Sequence, residues 1–197
     1  MQRICLRGGV ALEDSLRVAL AFLEAYPGYD SQPSDSASFD ERDLRHANRG
    51  GARISAVEIA AVLERRGRIE RALRAIDADA SLAVRSVPWT QLTLLFDAFA
   101  DIRGVGFSKT TKALHPKRPA LIPMLDSFIQ AYLKPEASLA EPFGERATAL
   151  VRSYKQDLDR NRAALREVRR ELARRGYALT EVRILDLLIW SVMAATD

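Results

Sequence analysis

The stretch Ile102–Asp126, IRGVGFSKTTKALHPKRPALIPMLD, concentrates the residue types that could do chemistry in this chain. Gly104 and Gly106 flank Val105 between two apolar helical segments. Glycine allows left-handed backbone and the close approach of another molecule. A tight turn feeding a helix N-terminus leaves several N–H groups pointing outward, which suits a phosphate oxygen. Ser108 and Lys109 follow at once and would add a hydroxyl and an ammonium. Five basic residues, Arg103, Lys109, Lys112, Lys117 and Arg118, lie between Ile102 and Leu125 with no acid among them. Such a run either grips a polyanion, with an affinity that falls as salt rises, or forms a solvated basic rim on a glycine turn. The spacing does not fit a Walker-type phosphate loop, and no strand pattern precedes it.

The elements that must position these residues read as helices almost throughout. Apolar residues recur at three- and four-residue steps, with no convincing period-two alternation. Leu12, Leu16, Ala19, Leu20 and Leu23 line one face of a first helix, stopped at Tyr26-Pro27-Gly28. Residues 27–38 are rich in Pro, Ser, Asp and Gly and predict a loop. A second helix is expected over Glu41–Asn48, ending at Gly50-Gly51, and Ser55 with Glu58 forms a capping-box pattern that opens a third. Ile69, Leu73 and Ile76 carry a fourth, Asp79 to Val84 a turn, and Pro88 opens a helix burying Trp89, Leu92, Leu95, Phe96 and Phe99. One long basic helix is expected from about Gly144 to Arg175, with a heptad-like stripe on Ala147, Val151, Tyr154, Leu158, Leu165, Val168 and Leu172, capped by Gly176. Thr180 caps the last helix, on Val182, Leu185, Leu188, Ile189 and Val192. The fold class is all-α, a single helical domain over residues 1–197, with the glycine hairpin at about 89–133.

Composition excludes several functions. The 197 residues are 48% hydrophobic and 28% charged, ordinary for a folded domain. A single cysteine, Cys5, rules out an internal disulfide and a cysteine-based zinc or iron–sulfur site, and His46 and His115 are too few for a histidine cluster. Any metal would sit on oxygens, and no metal site is expected. No apolar run approaches the roughly 20 residues a bilayer requires, and acids interrupt the N-terminal apolar stretch, so a cytoplasmic protein without a membrane partner is expected. The formal charge of +4 is weak in itself; its distribution matters more.

Ile102-Arg103-Gly104-Val105-Gly106, followed by Lys109 and Thr110 and then by Leu125-Asp126-Ser127, resembles the helix-hairpin-helix motif of the base-excision DNA glycosylase superfamily. Asp126 falls 20 residues after Gly106, a separation similar to that family's. The resemblance covers Trp89 to Tyr132 well and the helical surroundings loosely. The string Lys117-Arg118-Pro119-x-Leu121-Ile122-Pro123-x-x-Asp126-Ser127 also resembles uncharacterised bacterial proteins related to that fold. The resemblance implies a DNA-glycosylase-like helical fold and duplex DNA as partner. Gly104, Gly106, Ser108 and Lys109 would hold a phosphate beside an extruded nucleotide, and Asp126 would stabilise positive charge on its sugar or activate water. Ser108 stands where lyase-competent members carry lysine, so the implied activity is monofunctional, without a Schiff base. No cofactor is implied beyond a monovalent cation at the hairpin.

Each residue also has a structural reading. Asp126 can serve simply as the N-cap of a helix from Ser127 to Leu133, worth about 1 kcal/mol. Trp89 and Trp190 could stack on a base, but their apolar helical positions favour core packing. His115 could touch a phosphate or end its helix. Arg183 and Asp186, three apart, read as a surface ion pair, and Arg45, His46, Asn48 and Arg53 as a solvated helix end around Gly50-Gly51. Between Glu145 and Arg175 there are ten Lys/Arg and five Asp/Glu, so that helix could follow DNA, pair with a partner helix or a second copy, or present a charged outer face. Three functions stay open: a DNA-binding protein that hydrolyses an N-glycosidic bond, a catalytically inert descendant that binds nucleic acid or protein, and a structural helical protein.

Overall fold

The computed structural model describes residues 3–30, 37–133 and 141–195. The first element is not a helix but a small hairpin. β1 (Ile4–Cys5) pairs antiparallel with β2 (Ala11–Leu12), Ile4 opposite Leu12, around a single 3₁₀ turn at Arg7–Gly9. Leu12 therefore belongs to a strand, and α1 (Ser15–Ala25) starts behind it, where the Asp14 carboxylate accepts the Arg17 N–H. Of the expected loop 27–38, positions 31–36 lie outside the described residues and the rest holds no helix or strand.

Capping chemistry sets the next helices. Asp40 and Asp43 form a capping box on α2 (Glu41–Arg49), and Ser55 and Glu58 form the expected one on α3 (Ala56–Glu64). After α4 (Arg66–Arg74), Pro88 precedes α5 (Trp89–Asp97) as its cap. The hairpin turn leads into α6 (Phe107–Leu114), and a short segment leads to α7 (Ser127–Leu133).

The single long helix expected from 144 to 175 is two. α8 (Phe143–Arg160) and α9 (Arg162–Arg174) meet at Asn161, whose φ of −102° and ψ of 8° leave the helical region. The Asn161 amide accepts the Cys5 N–H at 2.8 Å and donates to the Cys5 carbonyl at 2.9 Å, so the break docks β1. All seven residues of the heptad-like stripe are buried against this chain's own core. That apolar face is therefore not available to a partner helix, because its burial partners are intramolecular.

α10 (Glu181–Ala194) runs through the interior, with every residue from Val182 to Ile189 buried. A helix covered all round is a central one, and α1, α7, α8 and α9 all pack on it. α5 lies along α8, held by a 2.8 Å contact between the Thr93 and Thr148 hydroxyls and by the Gly144 N–H donating to Asp97 at 2.7 Å. One apolar core runs from Ile4 to Ile189. The described residues thus form an all-α fold of ten α-helices with one two-stranded ribbon. No helix among them is long and apolar enough to cross a membrane.

Candidate functional site

The glycine hairpin forms as the sequence demands. Ile102 and Val105 are buried anchors, and the Val105 N–H donates to the Ile102 carbonyl at 3.0 Å. Gly104 occupies the third position of that turn with φ +82°, where a type II turn requires the left-handed region. A Cβ on Gly104 would stand 2.2 Å from Glu58 Oε1, so the glycine also admits a carboxylate from α3. Gly106 then caps α6 with no side-chain hydrogen bond, and space beside it is open.

That Glu58 carboxylate changes the meaning of the basic run. Its Oε1 accepts from Lys109 Nζ at 2.6 Å, and its Oε2 from the Ser55 N–H at 2.8 Å. Lys117, expected at a phosphate, is 3% exposed and pairs with Asp43 at 2.7 Å. Arg118 is 2% exposed; its guanidinium donates to the Leu73 and Ile76 carbonyls, both at 2.6 Å, at the C-terminal end of α4. A cation there complements carbonyls at a helix end, where the regular helical partners run out. Lys117 and Arg118 are thus interior braces, because acids and helix ends distant in sequence fold onto them. Arg103 remains exposed. His115 is buried, with Nδ1 2.6 Å from the Ile122 carbonyl, and burial lowers its pKa to about 4.

Ser108, Lys112 and Asp126 do come together, in a cleft of about 660 Å³ also lined by Arg49, Arg53, Phe128, Asp186 and Trp190. Asp126 is positioned by a strap. The Thr111 hydroxyl of α6 accepts the Leu125 N–H at 2.9 Å, and Asp186 Oδ2 of α10 accepts the Met124 N–H at 3.1 Å. Asp126 Oδ1 caps α7 by accepting the Ile129 N–H at 3.1 Å, so the capping role is real, while Oδ2 lies 4.0 Å from Lys112 Nζ. Lys112 is largely buried, and desolvation lowers its pKa against the opposing pull of Asp126.

One wall of the cleft is aromatic. Trp190 meets Phe22 and Tyr26 edge-on, each at 5.3 Å between ring centroids, and Phe128 at 5.6 Å. Trp190 is half-buried and faces the cleft, so it is not simply a core residue; Trp89 is half-buried too, covered by the Arg152 guanidinium at 4.2 Å. The lining is also cationic. Asn48 brackets the α2–α3 loop, donating to the Ile54 carbonyl at 2.9 Å and accepting its N–H at 2.6 Å. Gly50 lets this loop settle on the Tyr29 ring, which a Cβ would meet at 2.7 Å. The loop presents Arg49 and Arg53, exposed and without an ion pair or side-chain hydrogen bond to any described residue. Arg53 has φ 55°, in the region that disfavours side chains, and such outliers cluster at functional sites. Of the polar cluster expected here, Arg45 is a solvated partner of Glu41, whereas His46 is buried and stacked on Tyr29 at 4.7 Å.

Arg183 and Asp186 are not a surface pair. Arg183 grips Asp30 with two bonds of 2.7 and 3.0 Å, and both Arg183 and Asp186 are buried. Asp186 lines the cleft, its Oδ1 without a hydrogen-bond partner among the described residues, and desolvation raises its pKa to about 8, opposed by Arg183. The aromatic wall was signalled only by the helical spacing of Phe22 and Tyr26, and Arg49 only by its place before a glycine pair; nothing local marked their convergence on Trp190.

Fold and cleft define a class: an all-α protein in which a glycine hairpin and a strapped aspartate border an aromatic cleft with a cationic lining. The chain belongs to a family of unknown function, DUF6308, whose model matches residues 12–193 and so takes in every cleft residue. No curated protein and no solved structure matches the chain.

Proposed function

We propose that this is a DNA-binding protein of helix-hairpin-helix, DNA-glycosylase-like fold that receives an unstacked base in the aromatic cleft. The observation that carries the reading is the convergence of Ser108 and Lys112 of the hairpin helix, Asp126, and the Trp190 wall in one cavity. A planar ring suits the aromatic wall, since stacking of a base on an aromatic side chain contributes about 1–3 kcal/mol. The phosphate beside that base suits the open N-terminus of α6 and the cationic lining of Arg49, Arg53 and Lys112. A monovalent cation at the hairpin belongs to the same reading.

Hydrolysis of the N-glycosidic bond is a second reading, favoured by Asp126 Oδ2, which faces Lys112 in the cleft and is not used in the cap of α7. A carboxylate there would stabilise positive charge developing on the sugar as the base departs. The rival is binding without hydrolysis, with Asp126 serving as cap and electrostatic contact.

The test is binding to a short duplex carrying a stable abasic-site analogue, beside an undamaged control, at low and physiological salt. Preference for the abasic duplex, weakening as salt rises, is expected. Absence of binding to either duplex overturns the proposal. Base release lost in Asp126→Asn, with binding retained, selects hydrolysis over binding alone.

A further inference from the structure

Asp186 is the group in the cleft that the proposed function leaves unused. It is 2% exposed and lies in the cavity lining, one turn of α10 before Trp190. Oδ2 is engaged by the Met124 N–H; Oδ1 has no hydrogen-bond partner among the described residues. The Tyr154 hydroxyl also interacts with this carboxyl, but donates its proton to the Val182 carbonyl at 2.6 Å. A buried polar atom left without a partner costs roughly 1–3 kcal/mol in a folded protein, so an unpartnered oxygen beside a cavity points to something that completes it.

We propose that Asp186 is a specificity-determining residue: the carboxyl O–H at its Oδ1 donates a hydrogen bond to an acceptor atom, a carbonyl oxygen or ring nitrogen, on the edge of a planar heteroaromatic ring held against Trp190. The proposal rests on the reading of the cleft as a base-receiving site and names the ring class it takes. The charge environment supports a protonated carboxyl at neutral pH. Burial and Asp126 favour the neutral form, while Arg183, the Met124 N–H and Tyr154 oppose it, and burial dominates. With Oδ2 taken by a backbone donor, the proton of the neutral group falls on Oδ1, in a residue of the cavity lining. A ring presenting an N–H donor at that edge would meet another donor and be rejected. Sites built around one such bond discriminate strongly when the partner atom is missing, because a polar group is left unpaired.

Benzimidazole and indole test this, since they share a shape but only benzimidazole carries a ring-nitrogen acceptor. Ligand-observed NMR titration at pH 7 is expected to give benzimidazole about tenfold tighter than indole, the order of one net hydrogen bond. Asp186→Asn keeps the shape, places a carbonyl against Met124 and turns an amide donor to the cleft; it is expected to keep the preference from pH 7 to pH 9. The wild-type preference is expected to vanish by pH 9, when the ionised carboxylate can only accept. Asp186→Ala, checked for a native melting profile, is expected to lose it at all pH values.

Equal affinity of wild type for the two rings, a preference that survives in the alanine variant, or no binding of either ring at millimolar concentration overturns the inference. The abasic duplex carries no ring at the lesion, so its binding does not depend on this contact. Duplex binding without ring discrimination defeats the specificity role alone. Ring discrimination without duplex binding defeats the nucleic-acid reading and leaves the cleft as a small-molecule site.

Discussion

The cations of the hairpin run and those of the α2–α3 loop have similar chemistry and different surroundings. Lys109, Lys117 and Arg118 face Glu58, Asp43 and the carbonyl end of α4, so their charges are committed inside the fold. Arg49, at the end of α2, and Arg53, on the loop pinned by Asn48, line an aromatic cleft with no ion pair to a carboxylate among the described residues. The first set braces helix ends against one another; the second is available to an external anion. An acid-free stretch of sequence is therefore not an acid-free surface, because tertiary structure supplies the acids.

The sharpest way to break this comparison is at Arg118. Arg118→Met retains the apolar stem but removes donors to the Leu73 and Ile76 carbonyls. Charge-assisted bonds to buried groups contribute about 1.5–3 kcal/mol each. A loss of about 3 kcal/mol in urea unfolding is expected, with the salt dependence of DNA binding unchanged. Unchanged stability with a shallower salt slope would return Arg118 to the interface.

Carboxylates divide along the same line. On the hairpin side, burial tends to raise the Glu58 pKa, but Lys109 and Ser55 outweigh it and hold it below its ordinary value. In the cleft, burial lifts Asp186 to about 8. A lowered carboxyl stabilises the fold above its unfolded pKa and loses that effect as pH falls. A raised one binds its proton more tightly in the native state, so stability declines as pH rises from the ordinary carboxyl range toward 8. Wild type is expected to lose about 2 kcal/mol between pH 6 and 8 through this group, a loss absent in Asp186→Asn. Parallel pH profiles for the two proteins would show that Asp186 is already ionised.

The turn itself gives a smaller effect. Gly104→Ala places a Cβ in the left-handed region and against Glu58. About 1–2 kcal/mol of destabilisation is expected from the backbone term and the displaced ion pair. Combining it with Glu58→Ala, which clears the space, should give less than the sum of the two separate losses, measured by thermal unfolding.

Much of the helical framework was legible because its signals are local. The Ser55–Glu58 capping box and the Thr180 cap are set by residues three apart, and the Gly104 turn by its own backbone preference. The joining of Ser108, Lys112 and Asp126 was partly legible, since all three lie in one stretch of the hairpin and its sequel. The break at Asn161 was not, because a side chain that interrupts a regular apolar stripe does so by binding Cys5, 156 residues away. The N-terminal ribbon escaped the periodicity for a related reason: strands of two residues are too short to alternate. Asp186 and Trp190 looked like an ion-pair member and a core residue; only the packing of α1, α7 and α10 brings them into the lining of one cleft.

The comparison is sharpened most directly at its exposed end. Arg49→Ala with Arg53→Ala removes two charges that brace nothing described, so folding stability should change by less than about 0.5 kcal/mol. DNA affinity is expected to fall about tenfold at low salt, and the slope of log K against log salt to flatten by nearly 2, as two released phosphate contacts require. Lys109→Ala, by contrast, frees Glu58 beside the hairpin and should destabilise the fold by about 1 kcal/mol while leaving the slope in place. If instead Lys109 carries the slope and the arginine pair does not, the hairpin exchanges its internal carboxylate for phosphate on binding. The two regions would then differ only in the free protein, where Glu58 occupies a place that DNA can take over.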